Sequence, residues 1–354
     1  MISYINIFKW NADQTSLIPF ALVEPSECWF ELCYYDIGEF EIYAPATPEN
    51  LAALKKGNFV GIPNENYVWL ITSIQYEFNA SGSRMISAKG FEAKWLLTTR
   101  IIYTQYNLPT NLAQAVFELV KMSIGQGANA ARKIKNFIAV QGNFSITIDE
   151  TQAPRADLSE FVLNLLKSNK CGSIVYLNNG NLEYNNFQGI DRSSFMIFSQ
   201  SMDNLLSSTY FTSDKPLKTF CLVESTTTQN NQTVESVQEV DTGPVGIERR
   251  EFLLSSNIST KTDTEETTFG SAKYKQWQAA EGKNALAEKI TDIQFEGEID
   301  LKNSRFKFGQ DFFIGDQVLV RDEYFGFSAK ARVTKYIFKQ TAAGYGEEAE
   351  YGNE

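Results

Sequence analysis

The two ends of this chain carry the same strand pattern, and that repetition constrains the fold more than any other feature. Near the start, Gly57-Asn58-Phe59-Val60-Gly61-Ile62 leads through a short turn into the apolar run Trp69 to Phe78. A Gly-containing loop then brings in a third run, Arg84 to Phe91. Near the end, Gly315-Asp316-Gln317-Val318-Leu319-Val320 leads into Ala331 to Phe338, and another Gly loop into Gly346 to Tyr351. Each copy reads as Gly-Asn/Asp, an alternating strand, a turn, an apolar strand with a central threonine (Thr72, Thr334) and a closing hairpin. The plainer alternative is that any two three-stranded meanders align this well. A small antiparallel barrel used twice predicts a structural part of a symmetric assembly rather than a catalyst.

A chain of 354 residues has room for two to four domains with sizeable cores. Aromatic residues make up 13% of it, with 26 Phe and 16 Tyr, which suits half-buried pleated surfaces and argues against disorder. The net charge of -11 matters for partners. A nucleic-acid binder needs a basic stripe to neutralise phosphates. The nearest approach to one is the short run Ala131-Arg132-Lys133-Ile134-Lys135. An acidic wall, by contrast, does not hold a passing polyanion.

The four cysteines, Cys28, Cys33, Cys171 and Cys221, fit no redox or zinc spacing. Cys28 and Cys33 point to opposite faces if they share a strand, so buried free thiols are expected. The first residues show no basic and apolar leader of the secretory kind, and no apolar run reaches the ~20 residues that span a bilayer.

Four stretches follow along the chain. Residues 1–103 read as strand after strand and form a first β-barrel. A short helix from Pro48 to Lys55 interrupts it, with proline at an early position. Residues 104–195 form a mixed α+β domain. Its first helix carries the stripe Leu112, Ala115, Val116, Leu119 and Val120. Its second opens at Asp157 with Glu160 three residues later, the pattern of a capping box. Its hairpin, Ile174 to Tyr184, turns at Asn179-Gly180, a pair suited to positive dihedrals. Residues 196–250 together with 291–354 make a second β-barrel, with Thr226 to Thr233 as an exposed loop. Residues 251–290 are a small insertion with one helix, Ser271 to Lys289. The fold class is therefore α+β, mainly β: two related small antiparallel barrels, a mixed domain and a helical insertion.

The chain has no histidine. Ser-His-Asp and Cys-His activation, His-bearing zinc sites and the commonest general base are thereby excluded. Gly125-Gln126-Gly127-Ala128 follows a helix, where a dinucleotide fingerprint must follow a strand, and Gly282-Lys283 lacks the rest of a phosphate loop. Paired carboxylates survive as the one catalytic option: Glu39 with Glu41, Glu296 with Glu298 and Asp300, or Glu265 with Glu266. The first two sets alternate with apolar residues and so read as polar strand faces. Trp10, Trp29, Trp69, Trp95 and Trp277 are candidates for a sugar platform, but each lies in a periodic segment that suits packing. No catalytic, cofactor-binding or metal residue is therefore assigned.

The segment Asp36-Ile37-Gly38-Glu39-Phe40-Glu41-Ile42 resembles the first hairpin of tail-tip hub proteins of long-tailed bacteriophages, the hub domain of tail-associated lysin-like proteins. The similarity continues through Gly57 to Ile62, Trp69 to Phe78, Lys89-Gly90-Phe91 and Arg100-Ile101-Ile102. It returns at Asp311 to Val318 and Gly346 to Gly352. The resemblance covers 29–103 and 291–354 best. It implies the phage tail hub fold, a ring of three copies at the virion tail tip, and synthesis in the bacterial host cytoplasm. It further implies a role in closing the tail tube and joining it to the distal ring and to spike or receptor-binding parts. The implied partners are the chain itself as a homotrimer, a tail tube or distal tail protein, the tape-measure protein and a spike or receptor-binding protein. No sequence-specific nucleic-acid binding and no membrane segment are expected. Family members often continue into a wall-degrading extension. With Glu354 directly after the last barrel, such activity is expected on another polypeptide. The alternative function is a cell-wall glycan-binding or glycan-hydrolysing protein that uses the paired carboxylates.

Overall fold

The computed structural model describes residues 2–78, 82–262, 265–300 and 304–352. The loop after Phe78 and the last two residues of the closing segment lie outside them. The first part of the chain contains β1 (Ile5–Trp10), β2 (Leu17–Val23), β3 (Glu27–Cys33), β4 (Glu39–Pro45), α1 (Pro48–Ala53), β5 (Phe59–Gly61), β6 (Trp69–Phe78) and β7 (Arg84–Glu92). Thr47 caps α1, its side chain accepting from Asn50 N, and Pro48 occupies the first turn where no amide donor is needed.

The mixed part contains β8 (Tyr106–Asn107), α2 (Leu112–Ser123), β9 (Phe137–Val140), β10 (Gln152–Ala153), α3 (Leu158–Ser168), β11 (Gly172–Asn178) and β12 (Asn181–Phe187). β11, β12 and β9 form a three-stranded sheet. Asn179 and Gly180 turn β11 into β12 with φ of 49° and 80°, as their sequence requires. Asn111 caps α2 through its side chain. Asp157 sits at the N-cap of α3 as expected but makes no side-chain cap bond. Leu112, Val116, Leu119, Leu158, Val162 and Leu165 bury the apolar stripes of both helices in one core.

The last part contains β13 (Ile197–Phe198), β14 (Leu205–Ser213), β15 (Phe220–Gln229), β16 (Gln232–Asp241), β17 (Glu251–Ser255), α4 (Ala272–Ala287), β18 (Asp292–Ile299), β19 (Gln317–Asp322), β20 (Phe327–Thr341) and β21 (Gly344–Gly352). Here the structure departs from the sequence reading. Thr226 to Thr233 is not a loop. β-branched residues carry β15 through it, and Asn230 and Asn231 make the turn at φ of 50° and 62°. β15 and β16 also form a separate sheet in the order β16-β15-β17 that packs on α4, and do not pair with β14 or β18. Residues 196–250 are thus divided between two sheets. Gln278 fastens this unit from inside: its amide donates to Ser225 Oγ and Ser236 O, both at 3.0 Å, and it accepts from Ser236 Oγ at 2.8 Å. Gly282, read above against a phosphate loop, packs against β15 and β16: a Cβ there would lie 2.7 Å from Val223 and 2.8 Å from Val240.

The repeat is realised strand for strand. The path β3-β4-β7-β6-β5 in the first half matches β14-β18-β21-β20-β19 in the second. Both Gly-Asx corners bond alike. Gly57 N donates to Ile71 O and Ile71 N to Asn58 O, both at 2.9 Å. Gly315 N donates to Val333 O at 2.8 Å and Val333 N to Asp316 O at 2.9 Å. The central threonines are the extra residues of two β-bulges, Thr72 between Ile71 and Ser73 and Thr334 between Val333 and Lys335. A bulge bends a strand and increases its twist, so the same residue type bends the sheet at the same place in each half.

Two separate barrels are expected from the sequence. The strands of both halves instead share one 13-stranded sheet, joined where β3 pairs with β20 from Cys33↔Lys335 to Cys28↔Gln340. Among the described residues no pairing closes either half on itself. The apolar faces of both halves meet in a single core that includes Phe30, Phe40, Trp69, Phe295, Tyr336 and Phe338.

All four thiols are buried and unpaired. Burial pushes Cys28 and Cys171 up to about 12 and Cys221 up to about 11. The thiolate is the reactive form. Native protein at pH 8 should therefore resist alkylation, and denatured protein should titrate four thiols. Rapid labelling of the native protein would contradict this packing.

Candidate functional site

Period-two alternation gives the long sheet one apolar and one charged face. On the charged face Glu31, Glu39, Glu41, Glu296, Glu298, Glu348 and Glu350 stand with Lys89, Lys335 and Lys339. Lys89 Nζ lies 3.0 Å from Glu41. Lys335 bridges Glu350 at 3.0 Å and Glu31 at 3.6 Å, across three strands. Partial burial works against its charge, but the two carboxylates outweigh that and hold the ammonium above its ordinary range. Lys339 reaches both Glu348 and Glu298.

This face is where the structure places two of the three carboxylate sets. Glu41 and Glu296 occupy equivalent places in the two halves, facing Lys89 and Glu350 respectively. Asp300 follows β18 and donates its backbone N–H to Asn204 O. Glu265 and Glu266 lie apart from the sheet: Glu265 accepts from Asn107 at 3.1 Å and Glu266 lies 3.5 Å from Lys261. Glu31, Asp36, Glu39 and Glu350 border one cavity beside Lys335, and Glu41, the partner proposed for Glu39, does not line it.

The tryptophans do not assemble into a platform. Trp69 and Trp277 are fully buried, Trp10 meets Phe59 edge-on, and Trp95 stacks on Phe91. The run 131–135 closes loops instead of forming a stripe. Arg132 bonds Ile101 O, Lys133 bonds Gln126 O at 3.3 Å, and Lys135 bonds Asp13 O at 2.7 Å. Gly125 and Gly127 end α2 by bonding back to Val120 O and Lys121 O. Among the described residues no group of three or more His, Cys, Asp or Glu could hold a metal, and no helix is long and apolar enough to cross a membrane.

Two buried joints fix the charged face on the rest of the molecule. The first is an ion pair, Glu92 with Lys94 Nζ at 2.9 Å, both fully buried at the end of β7. Lys94 also donates to Cys33 O and, at 3.3 Å, to Ser173 O of the mixed part. Glu92 accepts from Cys33 N at 2.6 Å. Burial pushes the Glu92 carboxyl up, and Lys94 pulls it back. Sequence reasoning passed over this pair. The available signal was two charges flanked by Phe91 and the apolar run Trp95-Leu96-Leu97.

The second joint is centred on Tyr34. Its hydroxyl lies 3.1 Å from Phe187 O and accepts from Gly189 N at 3.1 Å. Its backbone N–H donates to Thr334 O, the bulged residue, at 2.8 Å. Buried Arg332 donates to Gly315 O at 2.5 Å and stands over the Tyr34 ring. Nearby, Asp316 receives Arg192 at 2.6 Å and Ile190 N at 2.8 Å. Both halves of the sheet and the mixed part thus meet at one buried knot. The charged face is thus tied to the rest of the molecule through the Glu92–Lys94 pair and the Tyr34 knot.

The comparisons with known proteins agree with this architecture. The fold is similar to the tail protein from Neisseria meningitidis MC58, with a TM-score of 0.58 and 11% identity over 99% of this chain and 96% of that one. It is similar also to the 43 kDa tail protein of prophage MuSo2 from Shewanella oneidensis, at TM-score 0.55 and 13% identity over 98% of each chain. A third is prophage tail protein gp18 from Listeria monocytogenes EGD-e, at TM-score 0.52 and 11% identity over 99% of this chain and 95% of that one. At such identities the likeness is one of fold. A search of the curated proteins returned no match. The model of the Siphovirus ReqiPepy6 Gp37-like proteins matches residues 24–353, nearly the whole chain, and the chain belongs to that family of tail proteins.

Proposed function

We propose that this protein is the hub at the tip of a phage or phage-like tail. Three copies form a ring that closes the tail tube and joins it to the distal ring and to spike or receptor-binding parts. The genome and the tape-measure protein pass through it. The observation that carries this reading is the duplicated sheet unit, with its equivalent corners and bulges. A tube of six-fold symmetry meets a ring of three chains without mismatch when each chain offers two like units. The charged sheet face then lines the passage. Its excess of carboxylates keeps the wall from holding DNA. The four parts of the chain keep separate tasks: the two sheet halves make the ring, and the mixed part and the β15–β17 unit extend from it.

Labelled antibody on intact particles, viewed in the electron microscope, is expected to mark the tail tip. Label along the tube, or on the head, would overturn the proposal. Two further outcomes follow from the same reading. Purified protein is expected to leave peptidoglycan intact, because one acid of each sheet-borne pair, Glu41 and Glu298, is engaged with a lysine. Turnover that vanished in Glu41→Gln or Glu298→Gln would contradict it. No duplex-DNA binding is expected at physiological salt, since binding requires a phosphate-neutralising surface.

A further inference from the structure

Resting on the ring reading above, we propose that the free edge of β6, Ser73–Phe78, pairs antiparallel with the free edge of β14 of a second copy of this chain. The pairing takes the register that β20 and β3 already hold within one chain. β20 and β6 are equivalent strands, as are β3 and β14. Inside the chain the portion of β20 beyond its bulge is covered by β3, with Phe338 opposite Phe30. The corresponding portion of β6 pairs only with β7 among the described residues, and β14 is the last strand of the sheet. One of the two equivalent joints is therefore filled from within the chain and the other is open.

Transposing the filled joint gives the register of the open one. The bulges align Val333 with Ile71, and the shared partners of β4 and β18 align Phe30 with Tyr210. Tyr76 then lies opposite Tyr210, Gln75 opposite Phe211 and Glu77 opposite Thr209. The exposure pattern fits. Phe338 is 4% exposed where its counterpart Tyr76 is 65% exposed, and Phe30 is 0% exposed where Tyr210 is 39% exposed. The aromatic pair buried at the first joint is partly uncovered at the second, where Tyr210 packs on Phe327 and Tyr76 is largely exposed.

Neither edge is protected in the usual way. Natural edges are blunted by lysine, proline or inward charges. Residues 205–213, Leu-Leu-Ser-Ser-Thr-Tyr-Phe-Thr-Ser, contain no charge, glycine or proline, and Ser73–Phe78 contains a single carboxylate. The proposed register puts no like charges opposite each other.

The test uses paired cysteines in the full chain under mild oxidation, with wild type as the background for the four buried thiols. Gln75→Cys with Phe211→Cys should shift the denatured, unreduced protein from 40.0 kDa to three times that mass. Glu77→Cys with Ser213→Cys, about 13 Å out of register, should stay at the single-chain mass. Tyr76→Asp should abolish the assembly while leaving the single-chain circular dichroism unchanged. Trimers that form normally but fail to cross-link at 75 and 211 overturn the strand pairing and leave the ring reading standing. A wild-type protein that remains a single chain in solution and on particles overturns both.

Discussion

Lys94→Met is expected to lower stability by about 3–5 kcal/mol, the usual consequence of removing one partner of a buried ion pair. Glu92 would be left without its cation among Cys33, Gly38 and Ser173, with backbone amides such as that of Cys33 as its remaining partners. Its escape is protonation. Burial already pushes this carboxyl up against the pull of Lys94, and loss of the lysine removes the main restraint. The folded variant then binds a proton that the unfolded chain, with an ordinary glutamate, releases. Its stability should accordingly fall as pH rises above the unfolded value, by about 1.4 kcal/mol per unit up to the folded pKa. Urea unfolding at pH 5 and pH 8 checks this: the deficit should be small at the lower pH and large at the higher. Glu92→Gln combined with Lys94→Met keeps an acceptor for Cys33 N and removes the charge, so it should recover most of the loss. A single variant as stable as wild type at pH 8 would show that the pair does not hold the joint.

The two equivalent glycines should respond unequally. Gly57 and Gly315 have φ of 90° and 87°, a region that penalises any side chain. A Cβ at Gly57 meets nothing within 4 Å, and one at Gly315 would lie 2.3 Å from the Tyr34 ring. Gly57→Ala should cost about 1–2 kcal/mol from backbone strain alone. Gly315→Ala carries the same strain plus roughly 1–3 kcal/mol of overpacking, because Tyr34 is pinned by Phe187, Gly189 and Thr334. Thermal unfolding of both variants decides the matter. Equal losses would mean that the Tyr34 knot yields, and with it the rigid link between the two halves of the sheet.

The repeat was legible because its markers are chemical. A glycine that must take a positive φ, an Asx beside it and a threonine at the bend recur in order, and the structure gives each pair the same backbone bonds. The Asn179-Gly180 turn, the stripe of α2 and the start of α3 were legible for the same reason. Sheet membership was not. The strand pattern of β15 and β16 states which face is buried and is silent on which strand lies alongside, so sequence order alone groups them with their neighbours. The union of both halves through β3 and β20 is a pairing between residues some three hundred positions apart, beyond the reach of local pattern. The carboxylates were placed correctly on strand faces, yet their lysine partners come from adjacent strands and emerge only from the register. The Glu92–Lys94 pair was hidden because short polar interruptions of an apolar run ordinarily signal exposure.

The central claim is that one sheet unit, used twice per chain, occupies six equivalent places in a ring of three. Electron cryomicroscopy of the assembled protein, averaged end-on, tests it most directly. The expected result is a closed ring of three chains in which the β3–β7 and β14–β21 units superimpose under a rotation of about 60° around a passage lined by the charged sheet face. Units standing at different radii or heights, or a passage lined by another face of the sheet, would contradict the account.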